Sequence, residues 1–270
     1  MPIQTAARDL RDKLRLEREL RAQVDAYHKT IVARFDESLN MNEFNASLTA
    51  ILTEHYRNVS DIFSNRLGSQ LPRNVSTTDN ERRTIERDLN QWIAARAPNQ
   101  AQRINKTTSD DITAAFAAAS DDELVRELVG LEAEITKKTI ATAIFSRKLT
   151  ARAGSIASTE TQAVAETAKA TEAEVLSGFE PSITSPTRHP SQVMKEWVSV
   201  GDSVVRTGTF DHLTADGQRR PTNEPFVVSG EQLMHPGDTS RGASVGNVIN
   251  CRCSAVYDVE EVINVRSETL

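Results

Sequence analysis

Apolar positions recur at helical spacing along most of the first 180 residues. In the opening segment Leu10, Leu14, Leu20, Val24, Tyr27, Ile31 and Phe35 fall mostly three, four or seven apart, which predicts an amphipathic helix. Phe44, Leu48, Ile51, Leu52, His55, Val59, Ile62, Phe63 and Leu67 form a second stripe. Asn40 is placed to cap this second helix and Pro72 to close it. A third helix is predicted from Thr78-Asp79, burying Ile85, Leu89, Trp92 and Ile93 and stopping at Pro98. Ser120-Asp121-Asp122-Glu123 has the form of a capping box, and helical spacing resumes from Leu124 through Leu128, Leu131, Ile135, Ile140, Ile144 and Leu149 to about Gly178. Within that run, Ala151 to Leu176 is rich in Ala, Thr and Glu. Such a helix is either well exposed or packed closely through small side chains.

The texture changes near residue 180. Glu180 to Gln192 carries three prolines without periodicity and reads as a linker. Beyond it, Trp197-Val198-Ser199-Val200, Phe226-Val227-Val228 and Ser254-Ala255-Val256-Tyr257 read as short strands, separated by turn chemistry at Asp216-Gly217 and Pro236-Gly237-Asp238. The expected class is α+β: a helical N-terminal region over 1–150, a helix and Pro-rich linker over 151–192, and a small mixed module with short strands over 193–270.

Composition narrows the choices. A hydrophobic fraction of 38% with 26% charged residues describes a polar, soluble chain, and aromatics at 5% suit helices that pack through Ala, Leu and Ile. No apolar run reaches the length of a membrane span, and the N-terminus lacks the basic and apolar regions of a secretory signal. With only two cysteines, synthesis in a reducing cytoplasm is expected. The net charge of −6 gives no global grip on nucleic acid. Arg11, Lys13, Arg15, Arg18 and Arg21 are a local candidate for DNA contact. Asp12, Glu17 and Glu19 interleave with them, which favours a solvated, salt-bridged helix face.

The two cysteines stand one residue apart in Asn250-Cys251-Arg252-Cys253. Extended backbone turns positions i and i+2 to one side, so both thiols aim at a common spot, while a disulfide between them would be far from ordinary geometry. They are either half of a metal site or small buried apolar groups. Around them, in order, come Lys195-Glu196-Trp197, Asp202, Val205-Arg206, His212, Asp216-Gly217-Gln218, Glu224-Pro225-Phe226, Gly230-Glu231, Leu233-Met234, Pro236-Gly237-Asp238 and Asn247-Val248-Ile249-Asn250. In order and spacing this run, led in by Ile156-Ala157-Ser158-Thr159-Glu160-Thr161, resembles the C-terminal domain of the phage Mu F-type head morphogenesis family over roughly residues 150 to 256.

The resemblance implies a minor head protein of a tailed phage or prophage particle. Such a protein is made in the host cytoplasm and located in the virion, at the capsid interior or portal vertex. Its implied partners are the portal protein, the major capsid protein or both, with packaged DNA as a further candidate in packaging or ejection. It implies no membrane and no small-molecule substrate. His212 falls at the family's histidine position and becomes the third candidate ligand beside Cys251 and Cys253. Asp202 or His235 would complete a tetrahedral, structural zinc.

Trp197 and Phe226 are expected in the core, Asn250 and Asp216-Gly217 in turns, and Pro236-Gly237-Asp238 in a solvated loop. His28 and His55 are expected to be ordinary, partly buried residues, and His189 exposed. No phosphate loop, nucleophile elbow or zinc-protease helix occurs, so the expected protein is not an enzyme. Two alternatives remain open. One is a zinc enzyme on the Cys/His cluster with Asp202 or Glu231 as general base. The other is a genome-binding ejection protein.

Overall fold

The computed structural model describes residues 2–67, 77–119, 137–177, 191–199 and 208–261. Pro72, the Ser120 to Glu123 box, the Leu124 to Ile135 run, His189 and the linker up to Pro190 lie outside them, as does Asp202. The described chain is α+β, with four long helices followed by short antiparallel strands. It divides into two compact units interleaved along the sequence, where the sequence pattern suggests segments laid end to end. A sheet unit comprises Met1–Leu14, Asn58–Gln91 and Thr159–Leu270, and a helical unit comprises Arg15–Arg57 and Trp92–Ser158.

Helix α1 spans Pro2–Ala33, and α2 spans Asn45–Phe63 behind a 3-10 turn at Met41–Phe44. Asn40 caps that turn, its side-chain oxygen accepting from Asn42 N at 3.1 Å. Helix α3 spans Asp79–Ala118 and starts at a reciprocal capping box. Thr78 N donates to Glu81 Oε2 at 2.5 Å, and Glu81 N donates to Thr78 Oγ1 at 3.3 Å. The helix does not stop at Pro98, which lies inside it. A proline removes one backbone donor, but flanking buried alanines, Ala97 and Ala101, keep the helix packed on its inner face. Asn99 Nδ2 also donates to the Ala95 carbonyl at 2.8 Å.

The helical unit is held by apolar contact. Leu16, Leu20, Val24, Tyr27 and Ile31 are buried from α1, and Leu48, Leu52 and Tyr56 from α2. Phe35 stacks on Phe116 and Phe145, with ring centroids 5.0 and 4.8 Å away. A neutral chain of hydrogen bonds runs through it: Tyr27 Oη donates to Asn105 Oδ1 at 2.5 Å, and Asn105 Nδ2 donates to Asn45 Oδ1 at 2.9 Å.

The sheet unit contains β1 (Ser191–Val198), β2 (Arg219–Pro221) and β5 (Ser254–Glu261) in the antiparallel order β2-β1-β5. Strand β1 therefore begins inside what reads as linker. A hairpin joins β3 (Phe226–Val228) to β4 (Glu231–Leu233) through Ser229-Gly230, whose φ angles of 50° and 81° are both left-handed. That pair of positive angles matches the twist of the flanking strands. Trp197, Phe226, Val228, Leu233, Ala255 and Tyr257 form the core, as expected for Trp197 and Phe226, whose rings meet edge to face at 5.4 Å.

Helix α4 (Lys137–Ser177) resolves the question raised by its Ala-rich second half, which is packed rather than exposed. In the sheet unit, Ala163, Val164, Ala165, Ala168 and Ala173 are all buried. So are Gln162, Glu166 and Lys169, one face of the same helix. Strand β5 lies at the end of the sheet order, and this face meets the chain where the strand begins. Gln162 Nε2 donates to the Cys253 carbonyl at 2.7 Å, Ala255 N donates to Glu166 Oε2 at 2.9 Å, and Lys169 Nζ donates to the Ala255 carbonyl at 2.9 Å.

The charges on that face are paired. Lys13 and Lys169 contact Glu166 at 2.5 and 2.8 Å, Lys169 contacts Asp9 at 2.7 Å, and Arg66 bonds Asp12. Lys13 is thus a buried ion-pair partner, not part of a solvated basic face. Arg15 and Arg21 do pair along the helix surface, with Glu19 and Asp25.

Candidate metal centre

His212 sits in a turn that its neighbour organises. Asp211 Oδ1 accepts from Leu213 N at 2.9 Å, and Asp211 N donates to Ser229 Oγ at 2.8 Å. Cys251 and Cys253 lie on extended chain between a single helical turn, α5 (Val245–Val248), and β5. Both cysteines are buried while Arg252 between them is half-buried, so the thiols share a side as the spacing predicts. Asn250 precedes them with a φ of 52°, its N donating to Thr159 Oγ1 at 3.2 Å, and acts as the expected turn residue.

These elements bring three ligand atoms together. Cys251 Sγ and Cys253 Sγ each lie 3.6 Å from His212 Nδ1, and the three atoms fall within 4.8 Å of one another. His212 is 1% exposed and each cysteine 2%. The group could hold a metal ion. The other ring nitrogen, His212 Nε2, lies 3.2 Å from Asn247 Oδ1. Asn247 Nδ2 donates to the Val228 carbonyl at 3.1 Å and to Glu231 Oε2 at 2.7 Å, and Glu231 Oε2 also accepts from Ser244 N at 2.9 Å. Trp197 meets the imidazole edge to face at 5.8 Å.

The thiols share one negative charge readily. The Cys253 thiol donates to Cys251 and draws its pKa below the ordinary thiol range against the cost of burial. Facing that thiolate, Cys253 is pushed up. A thiolate is the form that binds metal. Glu231 is held below the usual carboxylate range, first by Asn247 and then by Ser244.

The remaining candidates part company with this cluster. His235 does not join it: its Nε2 lies 3.5 Å from Thr167 Oγ1 and its Nδ1 3.2 Å from the Pro236 carbonyl. Both groups belong to the contacts of a packed loop, which also corrects the expectation of a solvated Pro236-Gly237-Asp238. All three residues are buried. Asp238 receives Met234 N and Ser240 N at 2.9 and 2.7 Å. Gly237, at φ 80°, runs so close to α4 that an added Cβ would meet Gln162 Cγ at 3.3 Å. His28 and His55, expected to be partly buried, are fully buried.

Two buried residues of the matched run had no role assigned from the sequence. Lys195, 1% exposed, donates to the Thr222 and Met234 carbonyls at 3.0 and 2.7 Å beneath the Phe226 ring, and burial lowers its pKa to about 8. Asn247, fully buried, carries no hydropathy signal, and only its nearness to the cysteines in sequence marks it. No family model, curated protein or solved structure matches the chain.

Proposed function

We propose that this chain is a minor head protein of a tailed phage or prophage particle, acting by binding near the portal vertex, and that a structural zinc staples its C-terminal module. The role in the head rests on the multi-part resemblance from Trp197 to Cys253. The observation that carries the metal reading is the meeting of His212 Nδ1 with both thiols on residues of that same run. A tetrahedral ion with Zn–S of about 2.3 Å and Zn–N of about 2.0 Å sets N···S separations of about 3.6 Å. The separations of 3.6 Å between Nδ1 and each sulfur have that size. Two thiolates and an imidazole are soft to borderline donors, which favour zinc over magnesium or calcium.

A structural role suits the surroundings better than catalysis. Glu231, one of the candidate bases, is bound to Asn247 and Ser244 and held in its weakly basic form. The staple fixes the Cys253-Ser254-Ala255 backbone that helix α4 reads, so it supports a rigid docking module. Its partners would be the portal protein, the major capsid protein or both, and packaged DNA would be a further contact.

Two measurements test this. The purified full chain should carry close to one equivalent of zinc, lost in the Cys251→Ser and Cys253→Ser variants. Particles imaged without imposed symmetry should show the chain at the portal vertex. Zinc without portal density would leave the staple and remove the head assignment, and portal density without metal would do the reverse.

A further inference from the structure

The orientation of a histidine ligand is set by what its second nitrogen meets, and partners outside the coordination shell commonly fix it. Here that partner has only one orientation open to it. Asn247 Nδ2 faces two acceptors, the Val228 carbonyl at 3.1 Å and the Glu231 carboxylate at 2.7 Å. Turning the amide over would set its oxygen against both of those oxygens and leave a buried NH2 pointing at the imidazole. Asn247 Oδ1 therefore faces His212 Nε2, 3.2 Å away, and only a protonated Nε2 can donate to it. The neutral ring then carries its lone pair on Nδ1, the atom 3.6 Å from each thiol.

We infer that Asn247, held by Glu231, is the positioning residue of the metal centre: it fixes His212 as the Nε2–H tautomer and so presents Nδ1 to the ion. The inference rests on the metal reading above and adds to it a tautomer, a ligand atom and two residues that set them. Glu231 anchors the amide and, through Ser244 N, the start of the turn that carries Asn247. The histidine ligand is consequently built from three places in the chain: the Asp211 turn, the end of the β3–β4 hairpin and α5. A ring free to exchange tautomers would present a proton to the thiols for part of the time and would bind the ion more weakly.

The test uses the full chain labelled with 15N-histidine, together with Co2+ as a spectroscopic substitute for zinc. Long-range nitrogen–proton correlation on the metal-free chain should show His212 protonated at Nε2. Co2+ should give a thiolate-to-cobalt charge-transfer band and shift Nδ1, not Nε2. Asn247→Ala should mix the tautomers and lower Co2+ affinity about 10- to 100-fold. Glu231→Ala should cause a smaller loss of the same kind, and Glu231→Gln, which keeps an acceptor for the amide, should recover most of it. Circular dichroism checks that each variant is folded.

Protonation of His212 at Nδ1 in the parent chain would overturn the inference. So would a folded Asn247→Ala chain with unchanged affinity and an unmixed tautomer. A parent chain that binds no Co2+ would overturn the metal reading alone, because the tautomer measurement on the metal-free chain still decides the role of Asn247.

Discussion

Both compact units bury apolar side chains, and they differ in the polar groups buried with them. In the helical unit the interior is aromatic and aliphatic, with Phe35 stacked between Phe116 and Phe145 and neutral hydrogen bonds from Tyr27 through Asn105 to Asn45. In the sheet unit, Asp9, Lys13, Glu166 and Lys169 are at most 3% exposed. Apolar burial is non-directional and fails gradually, by the area and volume removed. A buried ion cluster gives little net stability but fails abruptly when one member is lost, because the others remain desolvated without a partner. What the ions supply in return is direction. They grip the Ser254 hydroxyl and the Ala255 backbone at the start of β5, next to the candidate metal ligands.

The largest effect expected is in that cluster. Glu166→Ala strands Lys13 and Lys169 and should lower the stability of the sheet unit by about 3–5 kcal/mol in denaturant melts. Replacing Asp9, Lys13, Glu166 and Lys169 together by apolar residues should cost far less than the single change. A quadruple variant that is worse than Glu166→Ala would show that the cluster stabilises the fold outright. In the helical unit Phe35→Ala should cost about 3–5 kcal/mol, with no rescue from changes to its neighbours, since cavities add.

Acid should separate the units. Burial lowers His28 and His55 to about 4, so the folded helical unit binds fewer protons than the unfolded chain between about 6.5 and 4. Its stability is full above that window and falls as pH drops through it. Glu166 resists burial through Lys13 and Lys169 and lies near 2, so its contribution is full above about 4.5 and is lost as pH falls towards 2. In the sheet unit burial lowers His235 in the same direction, so hydrogen exchange followed from pH 7 to pH 3 should show the helical unit, where two such histidines charge, loosening first. Sheet-unit amides that open first would reverse the assignment. The smallest effect is at Gly237, where Ala meets both a positive φ and Gln162, for a loss of about 1–2 kcal/mol.

The same contrast explains what the sequence reveals. The stripe Leu20, Val24, Tyr27, Ile31 is visible because its buried residues are apolar. Upstream, the buried positions of α1 are Ala6, Asp9, Lys13 and Leu16, still three or four apart, and hydropathy passes over the two charged ones. Likewise α4 buries Gln162, Glu166 and Lys169, which look solvent-facing in any apolar count. Pro98 looks like a helix end because propensity is local, while packing of Ala97 and Ala101 is tertiary. Strands β2 and β4 are three residues each, too short to show alternation. At the site, the i, i+2 thiols and His212 were legible from spacing and motif. Asn247 stands in the same run, but its role was not legible, because it depends on a hydrogen bond that no residue pattern encodes.

Zinc-edge X-ray absorption on the purified full chain tests the metal centre most directly. A stapled module requires one zinc per chain with two sulfur neighbours at about 2.3 Å and nitrogen at about 2.0 Å. Cys251→Ser and Cys253→Ser, which lose the ion, should show no such sulfur shell. A chain that takes up no zinc on reconstitution, or holds it in an oxygen-only shell, would contradict it and leave Cys251 and Cys253 as buried core residues.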